Sequence, residues 1–278
     1  MGQQKRDEIS LWRDSQLHGG MEILQATCYE HSYPPHFHDE FVIAAFARGA
    51  QRTRVCRQNG IAAAGSVMII APGEVHTGEA VQRDEGWDYC AFYPGEKLIN
   101  EVAQTVLSGK GDVNFGLQGI RHDPLMARRM LHAASVMKQS PDPLEKECVM
   151  YQILNVLVGH YGERTVKGSR LSVLRADIRK AIAFLHSAYA QPLTVKEIAQ
   201  VAGLSEFYFM RTFQKMTGLS VHQYLTQIRL MRAKGLLAKG MGAAQVASDI
   251  GFFDQSHLIK QFRAHFGTTP GMFAAASM

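Results

Sequence analysis

The spacing of apolar residues along the chain changes from strand-like alternation to helical periodicity. Before about residue 110, short apolar or alternating runs are separated by glycine-containing turn signals such as Arg48-Gly49 and Pro72-Gly73. Short strands at this spacing are typical of an all-β barrel or sandwich. The predicted strands include residues 41–46, 52–56, 66–70 and 87–93.

Two helices are predicted to follow the strands. Asp123-Pro124 and Asp142-Pro143 each combine an N-cap residue with proline at the first helical position, which is a helix start signal. Apolar residues then recur at helical spacing in residues 125–137 and 149–161. We therefore expect residues 1–162 to form one domain, a β-barrel followed by two helices.

A polar, glycine-containing stretch comes next, and we interpret residues 163–172 as a linker. Every element predicted in the remaining residues, 173–278, is helical. The fold class predicted for the chain is therefore α+β with two domains, of which the second is all-α.

The helical part of the chain contains one structural unit twice. Residues 198–204 (IAQVAGL) and 246–252 (VASDIGF) share a pattern at an offset of 48, and after one inserted residue the match continues at an offset of 49. The shared alanine lets two helices approach closely, and the shared glycine permits a tight turn because it tolerates positive φ. A polar residue, Ser205 or Asp254, is then placed to cap the next helix. The repeat predicts two helix-turn-helix units, which a long helix at residues 221–239 would join.

The second helix of each unit has a buried stripe and an opposite, exposed face. Phe209 and Phe213 mark the stripe in the first copy, and Leu258 and Phe262 mark it in the second. The opposite face is free to enter a major groove. The candidate DNA contacts on these faces are Glu206, Phe207, Met210, Arg211 and Lys215 in the first copy, and Gln255, Ser256, His257, Lys260 and Arg263 in the second.

These candidates differ in what they can read. Phe207 and Met210 offer only apolar contacts, for instance to a thymine methyl group, whereas Arg211 is suited to bidentate contact with guanine. Lys215 is a candidate for phosphate contact. For each residue the alternative is an exposed helix position that meets only phosphate or water.

Charge is distributed unevenly between the two parts of the chain. Residues 175–278 carry 12 Lys and Arg against 5 Asp and Glu, a net charge of +7, whereas residues 1–174 carry 18 against 20, a net charge of −2. A basic part beside a near-neutral part indicates a polyanionic partner for the basic part only. A solvated basic surface without a partner would have the same composition.

A set of short motifs runs through the helical part of the chain: LTVKEIA at 193–199, GLS at 203–205, RTFQK at 211–215, RLMRA at 229–233, GF at 251–252 and the ending FR to FGTTP at 262–270. With these motifs, residues from about 171 to 273 closely resemble the DNA-binding domain of the AraC/XylS family of transcriptional regulators. The resemblance implies a sequence-specific regulator that binds double-stranded DNA, forms a homodimer and contacts RNA polymerase, with activation and repression both open. It also implies base contacts by Phe207, Met210 and Arg211 and by the four residues from Gln255 to Lys260 named above. A helical bundle without a DNA role is the alternative.

Histidines are the main candidate chemistry of the first domain. His36, His38 and Glu40 lie at i, i+2 and i+4, so that on a strand they would share one face. His76 follows in the segment PGEVH at residues 72–76. These segments resemble the two cupin motifs, in which such residues bind a metal inside a small β-barrel. They also resemble the sensor domain of AraC-type regulators, in which the barrel holds a small organic effector.

Three interpretations of this cupin-like barrel follow. The four residues line a pocket for a small-molecule effector without a metal, which is the interpretation we prefer, or they form a metal site, or the histidines are structural. Arg52 and Arg54 share a face of the next strand, where they would meet an anionic group of the effector or be solvated. The two helices at residues 124–139 and 143–160 are the expected dimer surface, or they cover one end of the barrel.

Three classes of function are compatible with these features. We prefer a transcription regulator controlled by an effector, with no catalytic residues and no resident cofactor. The second class is a metal-dependent cupin enzyme with an accessory DNA-binding domain, and the third is an architectural DNA binder without an effector. Metal content of the purified protein would distinguish the first two.

The sequence favours a cytoplasmic protein without a membrane span. No apolar run approaches the ~18–20 residues that a spanning helix needs, and the polar start of the chain is not a secretory signal. The four cysteines, Cys28, Cys56, Cys90 and Cys148, have no paired spacing. We expect them to be buried thiols in a reducing compartment.

Overall fold

A computed structural model describes residues 6–18, 20–55, 58–108, 111–116, 118–165 and 175–277. Apart from Ser277, the chain divides into two compact units between residues 167 and 168. The first unit is rich in β-sheet and the second is helical. The predicted α+β class, with a sheet-rich domain before an all-α domain, is confirmed.

The strands of the first unit are antiparallel. Their hydrogen-bonded order is β1-β2-β8-β4-β6-β10, with β5 and β7 also pairing β4, β3 pairing β7, and β9 pairing β11 separately. This order brings β3 beside β7, which is the pairing that positions the histidines. The strands are β1 (Glu8–Asp14), β2 (Met21–Cys28), β3 (Tyr33–His36), β4 (Val42–Val55), β5 (Gln58–Ala63), β6 (Ser66–Ile70), β7 (His76–Ala80), β8 (Trp87–Tyr93), β9 (Asp112–Asn114), β10 (Ile120–His122) and β11 (Glu163–Thr165).

The turn predicted at Arg48-Gly49 is wrong, because β4 runs through it as one strand of 14 residues. The register of β4 against β8 shifts between Phe46 and Arg48, which is a β-bulge. Gly49 has φ +64°, and a Cβ there would lie 1.9 Å from the carbonyl oxygen of Gly86. Glycine supplies a left-handed backbone in a bulge as readily as in a turn, so the local sequence did not distinguish the two.

The first unit contains α1 (Glu96–Val106), α2 (Pro124–Gln139) and α3 (Pro143–Tyr161). The two proline-initiated helices, α2 and α3, are confirmed. The side chain of Asp123 accepts a hydrogen bond from the N–H of Met126 at 2.9 Å, and that of Asp142 accepts one from Leu144 at 2.9 Å. These bonds satisfy backbone donors that have no partner inside the helix.

The sequence analysis missed α1, which begins directly after the last long strand. The signal was present, since its buried side chains recur at helical spacing. Together with α2 and α3, the helix packs against the sheet in one hydrophobic core that includes Ile43, Phe92, Met130 and Leu157. Burial of each such side chain stabilises the unit by roughly 1.5–3 kcal/mol. The buried residues of α1 are Leu98, Ile99, Val102 and Ala103.

Three residues that we assigned to the linker are part of the first unit. Glu163–Thr165 forms β11, whose residues pair with Asp112–Asn114. The rest of the assigned linker, residues 166–172, lies outside the described residues. The next described residue is Arg175, which directly precedes the first helix of the second unit.

The second unit is helical throughout its described part. The helix joining the two copies, predicted at residues 221–239, is α7, and it packs against the second helix of each copy. Phe209, Phe213, Phe262 and Phe273 are fully buried in the core of this unit. The helices are α4 (Ala176–Ala188), α5 (Val195–Ala202), α6 (Glu206–Thr217), α7 (Val221–Leu237), α8 (Ala243–Asp249), α9 (Gln255–Phe266) and α10 (Pro270–Ser277).

The cysteines only partly follow the expectation. Cys28 and Cys90 are buried free thiols, and burial raises the pKa of each to about 12. Cys148 is exposed on α3, which contradicts the prediction; it lies on the side of the helix away from the core. Cys56 lies outside the described residues. Among the described residues, no helix has the length and apolar character that crossing a bilayer requires.

Candidate DNA interface and ligand site

Helices α5 and α6 form the first helix-turn-helix unit. Thr194 and Glu197 cap the start of α5 reciprocally: the Glu197 carboxylate accepts from the N–H of Thr194 at 2.7 Å, and Thr194 Oγ1 accepts from the N–H of Glu197 at 3.3 Å. Gly203 ends α5 with φ +70°, and the N–H of Leu204 donates to the carbonyl of Ala199 at 3.0 Å. This arrangement of a left-handed glycine and a long back-bond is a Schellman turn.

Helices α8 and α9 form the second unit with the same turn. Gly251 has φ +81°, and the N–H of Phe252 donates to the carbonyl of Ala247 at 2.9 Å. The helix caps differ between the copies. Asp254 accepts from the N–H of His257 at 2.7 Å, whereas Ser205 occupies the cap position of α6 without a side-chain cap hydrogen bond. Ser205 therefore occupies the predicted N-cap position, but its side chain does not cap the helix.

The faces predicted to contact DNA are solvent-accessible. In α6 all five candidate residues are exposed, and Phe207 is 75% exposed. In α9 the candidates are exposed except His257, which is half-buried with its ring 5.0 Å from that of Phe252. The stripe on the other side is buried, as the pattern predicted. Phe209 and Phe262 have no exposed surface.

Phe253 is an exposed aromatic residue that the sequence analysis passed over. It is 93% exposed in the turn that precedes α9. It is also the residue inserted between the two copies, since the offset changes there from 48 to 49. This extra residue in the second copy was the sequence feature that distinguished Phe253. Because its side chain is not buried, Phe253 is available for contact with a partner.

A second missed feature links the residue before α4 to the first recognition helix. The Arg175 guanidinium donates to the hydroxyl of Tyr208 at 2.9 Å, lies 5.7 Å from the centre of its ring, and pairs with Asp177 at 2.6 Å. The hydrogen bond from Arg175 lowers the pKa of Tyr208. Tyr208 thus joins α6 to the residue at which the described part of the second unit begins.

Three of the six candidate residues in the first unit come together. His36 ends β3, His76 begins β7, and the two are paired across these strands. With His38 they form a buried cluster in which one ring nitrogen of each lies within 4.8 Å of the others. The ring centroids are 4.2 Å apart for His36 and His76, 5.1 Å for His36 and His38, and 5.4 Å for His38 and His76.

Glu40 is not part of this cluster. We expected residues 36, 38 and 40 to share one face of a strand, but β3 ends at His36 and the chain bends at residues 39 and 40. Glu40 is half-buried, and its charge raises the pKa of the Tyr93 hydroxyl together with burial and Glu22. Because β3 ends at His36, strand alternation does not place Glu40 beside the histidines.

Backbone carbonyls set the protonation of two of the rings. Nδ1 of His36 lies 2.7 Å from the carbonyl oxygen of Pro34, and Nδ1 of His76 lies 2.9 Å from that of Glu74. Because a carbonyl only accepts, Nδ1 of each of these two rings carries a proton. Burial lowers the pKa of His76 to about 4, so this ring is neutral near pH 7.

Buried tyrosine rings lie beside the cluster. The ring of Tyr93 lies 4.9 Å from that of His38, and the ring of Tyr33 lies 6.1 Å from that of His36 and 6.4 Å from that of Tyr89. Burial raises the pKa of all three tyrosines, which keeps their hydroxyl groups protonated. The three tyrosines therefore place neutral hydroxyl groups in this interior.

The structure does not bring Arg52 and Arg54 to this cluster. Both are exposed, and Arg52 pairs with the exposed Glu79 at 3.4 Å. Their neighbours on β4, Gln51 and Thr53, are buried instead. Because successive residues of a strand face opposite sides, the two arginines occupy the outer side of β4. Gln51 Oε1 has no hydrogen-bond partner among the described residues.

Comparison with known proteins assigns a family model to each unit. Residues 18–154 match the model described as an AraC-like ligand binding domain. Residues 198–276 match the model described as a helix-turn-helix domain. The two matches cover the histidine cluster, the first helix-turn-helix unit from residue 198 onward, and the whole second unit.

Two bacterial regulators are similar to this chain over most of their length. The HTH-type transcriptional regulator YbfI of Bacillus subtilis is 27% identical over 252 residues, covering 90% of this chain and 89% of YbfI. The Msm operon regulatory protein of Streptococcus mutans is 24% identical over 245 residues, covering 87% of each chain. The matches extend through both units, so the order of the two domains is shared as well.

Solved structures show the same fold. The crystal structure of ToxT from Vibrio cholerae with a bound unsaturated fatty acid has a TM-score of 0.58 and 13% identity, covering 92% of this chain and 94% of ToxT. A second crystal structure of ToxT, from Vibrio cholerae O395, has a TM-score of 0.56 and 9% identity, covering 98% of each chain. At this identity the likeness shows the fold alone.

Proposed function

This chain belongs to the AraC family of transcriptional regulators, with an N-terminal ligand-binding domain and a C-terminal helix-turn-helix DNA-binding domain, and we propose that a small molecule bound beside His36, His38 and His76 controls its binding to DNA. The observation that carries the proposal is the buried cluster of these histidines. The cluster places three imidazole rings in the interior of the ligand-binding domain, where the rings of His36 and His38 lie beside protonated tyrosines. ToxT, which shares the fold, binds an unsaturated fatty acid.

Control by the small molecule requires two states of the protein. A ligand shifts an equilibrium only as far as its affinity differs between the states. We propose that the states differ in how the helix-turn-helix units of a dimer engage DNA. The exposed apolar residues of α2 and α3 support a dimer surface there: Leu125, Leu144, Tyr151 and Val156 are all more than 40% exposed.

On DNA, we propose that α6 and α9 enter successive major grooves, about 34 Å apart. Arg211 reads a guanine, Phe207 and Met210 contact thymine methyl groups, and Lys215 and Arg263 contact phosphates. On α9, the polar residues Gln255, Ser256, His257 and Lys260 make the remaining proposed contacts with DNA. The exposure of these side chains supports the assignment. We also propose that the protein contacts RNA polymerase and acts in the cytoplasm.

Phe253 belongs in the same interface. It directly precedes Asp254, the cap of α9, and it is nearly fully exposed. A recognition helix enters the groove with its N-terminal end near the bases, so the residue before the cap lies beside the sugar-phosphate backbone or a base. We propose that Phe253 makes an apolar contact with DNA in the second half-site.

We propose a sensor rather than an enzyme for the first unit. The enzyme alternative required Glu40 beside the three histidines, and Glu40 is outside that cluster. The similar proteins are named as regulators. An architectural DNA binder without an effector would have an interior filled by apolar side chains, whereas buried imidazole, hydroxyl and amide groups occupy this one.

The experiment compares DNA binding of the full chain with and without an extract of cell metabolites. First, the DNA sequences that the protein selects are determined in both conditions. Then His38→Ala is compared with His122→Ala, a control at an exposed histidine of the same unit. We expect His38→Ala to keep its affinity for the selected DNA and lose the response to extract, while the control keeps both. A normal response in His38→Ala would refute the proposed ligand site.

A further inference from the structure

The segment at residues 175–191, which contains α4, extends from the first helix-turn-helix unit to the turn of the second. Helix α4 packs against both helices of the first unit, α5 and α6. At the start of the segment, the Arg175 guanidinium donates to the hydroxyl of Tyr208 on α6 at 2.9 Å. Near its end, the carbonyl oxygen of Ala190 would lie 2.6 Å from a Cβ built on Gly251, the glycine of the second turn. The two ends of one segment therefore contact both units.

Arg229, on the joining helix α7, holds the end of this segment. Its Nε donates to the carbonyl of Tyr189 at 2.8 Å, and its Nη2 donates to the carbonyl of Gln191 at 3.1 Å. The same Nη2 would lie 3.0 Å from a Cβ built on Gly251. One half-buried guanidinium thus lies between the end of the α4 segment and the turn of the second helix-turn-helix unit.

The chemistry of this contact favours arginine over lysine. Carbonyl groups at the C-terminus of a helix lack partners inside the helix and carry partial negative charge. A guanidinium presents its N–H donors in a fixed plane and can reach two carbonyls at once, whereas an ammonium is a point charge on a flexible stem. Burial lowers the pKa of Arg229, and hydrogen bonds to the two carbonyls offset part of the cost of removing its charge from water.

Two connections therefore join the helix-turn-helix units. Helix α7 joins them through the chain, between the end of α6 and the start of α8. Rotation of either unit about an end of α7 would change the direction of its recognition helix, α6 or α9, without breaking the chain. The segment at residues 175–191 opposes this rotation, because it contacts α6 at one end and the second unit, through Arg229 and Gly251, at the other.

The geometry of duplex DNA makes the relative orientation of α6 and α9 important. Successive base pairs are about 3.4 Å apart along the axis and differ in direction by roughly 35°. Two recognition helices in a fixed orientation fit half-sites at one spacing and lose contacts when a base pair is inserted or removed. A less constrained pair would accept several spacings, but it would bind each more weakly because binding would then have to order the two units.

We propose that Arg229 is a positioning residue for DNA recognition: by holding residues 189–191 against the second helix-turn-helix unit, it sets the spacing between half-sites that this protein accepts. The proposal rests on the two-groove interface proposed above. It adds a determinant of operator choice that lies in neither recognition helix and acts through the backbone that follows α4.

The first test measures the spacing preference of the full chain. The probes are the selected DNA site, the same site with one of the two halves bound by a chain scrambled, and sites with one base pair inserted or removed between these halves. Arg229→Gln removes the charge and the contact with both carbonyls, whereas Arg229→Lys keeps the charge but not the two-carbonyl contact. Lys239→Gln, which removes an exposed charge just after α7, is the control.

We expect both Arg229 variants to bind the half-scrambled site like the parent and to lose about tenfold of the preference for the correct spacing, because the effective concentration of the second unit at its half-site falls. The control should keep the parental preference. A smaller folded fraction lowers binding to every probe by the same factor, so ratios between probes are independent of stability. A parental ratio in Arg229→Gln would overturn the proposal.

The second test measures the distance between the recognition helices without DNA. Spin labels are attached through Gln214→Cys on α6 and Ala264→Cys on α9, both at exposed positions, in a chain in which Cys56 and Cys148 are replaced by serine. The labelled protein is diluted with unlabelled protein, so that distances within one chain dominate. Pulsed electron paramagnetic resonance then gives the distribution of distances between the two labels.

We expect a narrow distribution in the parent and in Lys239→Gln, and a broader or displaced one in Arg229→Gln. An unchanged distribution in Arg229→Gln would overturn the role of Arg229, whatever the result with DNA. The parent also separates this proposal from the one on which it rests. If the parent binds the half-scrambled site as tightly as the intact site while Arg229→Gln still broadens the distribution, the two-groove interface is wrong and the orienting contact of Arg229 is supported.

Discussion

The two helix-turn-helix units have the same backbone turn, but the surroundings of that turn differ. In each unit a left-handed glycine is followed by a hydrogen bond back to an alanine carbonyl, at 3.0 Å in the first and 2.9 Å in the second. A Cβ at Gly203 would meet no described atom within 4 Å, whereas one at Gly251 would lie 2.6 Å from the carbonyl oxygen of Ala190. The first glycine is needed for its conformation, and the second also for its lack of a side chain.

The reading faces of the two units differ as well. The first presents apolar side chains beside one arginine, and Phe207 is the most exposed of them at 75%. The second presents amide, hydroxyl and amine groups, with the inserted Phe253 just before its cap. The comparison shows that the repeated positions build the turn, while the positions that differ are those available to read different bases.

The largest effect is expected at the packed glycine. Gly251→Ala should lower the free energy of unfolding by roughly 3 kcal/mol or more, because the left-handed penalty adds to displacement of a backbone carbonyl. Gly203→Ala should cost only about 1–2 kcal/mol, the penalty for the left-handed backbone. Denaturant unfolding of the full chain, followed by helix circular dichroism, measures both. Equal losses would show that the packing at Gly251 does not matter.

Arg211 and Lys215 should separate reading from attachment. Arg211→Ala should lose roughly 1–3 kcal/mol at one base pair and relax specificity there. Lys215→Ala should weaken binding to all sequences alike and reduce the salt slope by about 1, because one phosphate contact is lost. Binding is measured on the selected site, on its single-base variants and on random DNA at two salt concentrations. Equal losses for both variants on random DNA would contradict the role of Arg211.

The inserted aromatic residue tests whether the second unit has an apolar contact of its own. Phe253→Ala should weaken DNA binding by about 1 kcal/mol through lost apolar burial, with the free energy of unfolding unchanged within roughly 0.5 kcal/mol. Ile61→Ala, a similarly apolar and exposed position in the first unit, is the control. If both variants bind DNA like the parent, Phe253 is not part of the interface.

The smallest effects concern the helix caps. Asp254→Ala should reduce the free energy of unfolding by roughly 1 kcal/mol, since its side chain caps α9. Ser205→Ala should cost only a few tenths of a kcal/mol, because Ser205 makes no cap hydrogen bond. Both are measured without DNA by denaturant unfolding. A larger loss at Ser205 would mean that its hydroxyl caps α6 in solution.

Features governed by neighbouring residues could be read from the chain directly. The starts of α2 and α3, the two glycine turns and the buried stripes of α6 and α9 all follow from spacing within a few residues. The helix α1 carried the same kind of signal and was overlooked. The duplicated unit and the net charge of +7 on residues 175–278 indicated DNA binding, and both can also be read directly from the sequence. They are properties of composition and order, which folding does not change.

The arrangement of the candidate ligand site depended on which strands pair. His36 and His76 are far apart in sequence and become neighbours only because β3 pairs with β7. The end of β3 at His36 excludes Glu40 from the cluster, and the strand alternation of β4 turns Arg52 outward. Hydrogen bonds between distant strands set these registers, and a register shift of one residue would reverse every side chain. The sequence therefore determined the order of the two domains and the turns of the two helix-turn-helix units, while only the tertiary structure decided which histidines meet.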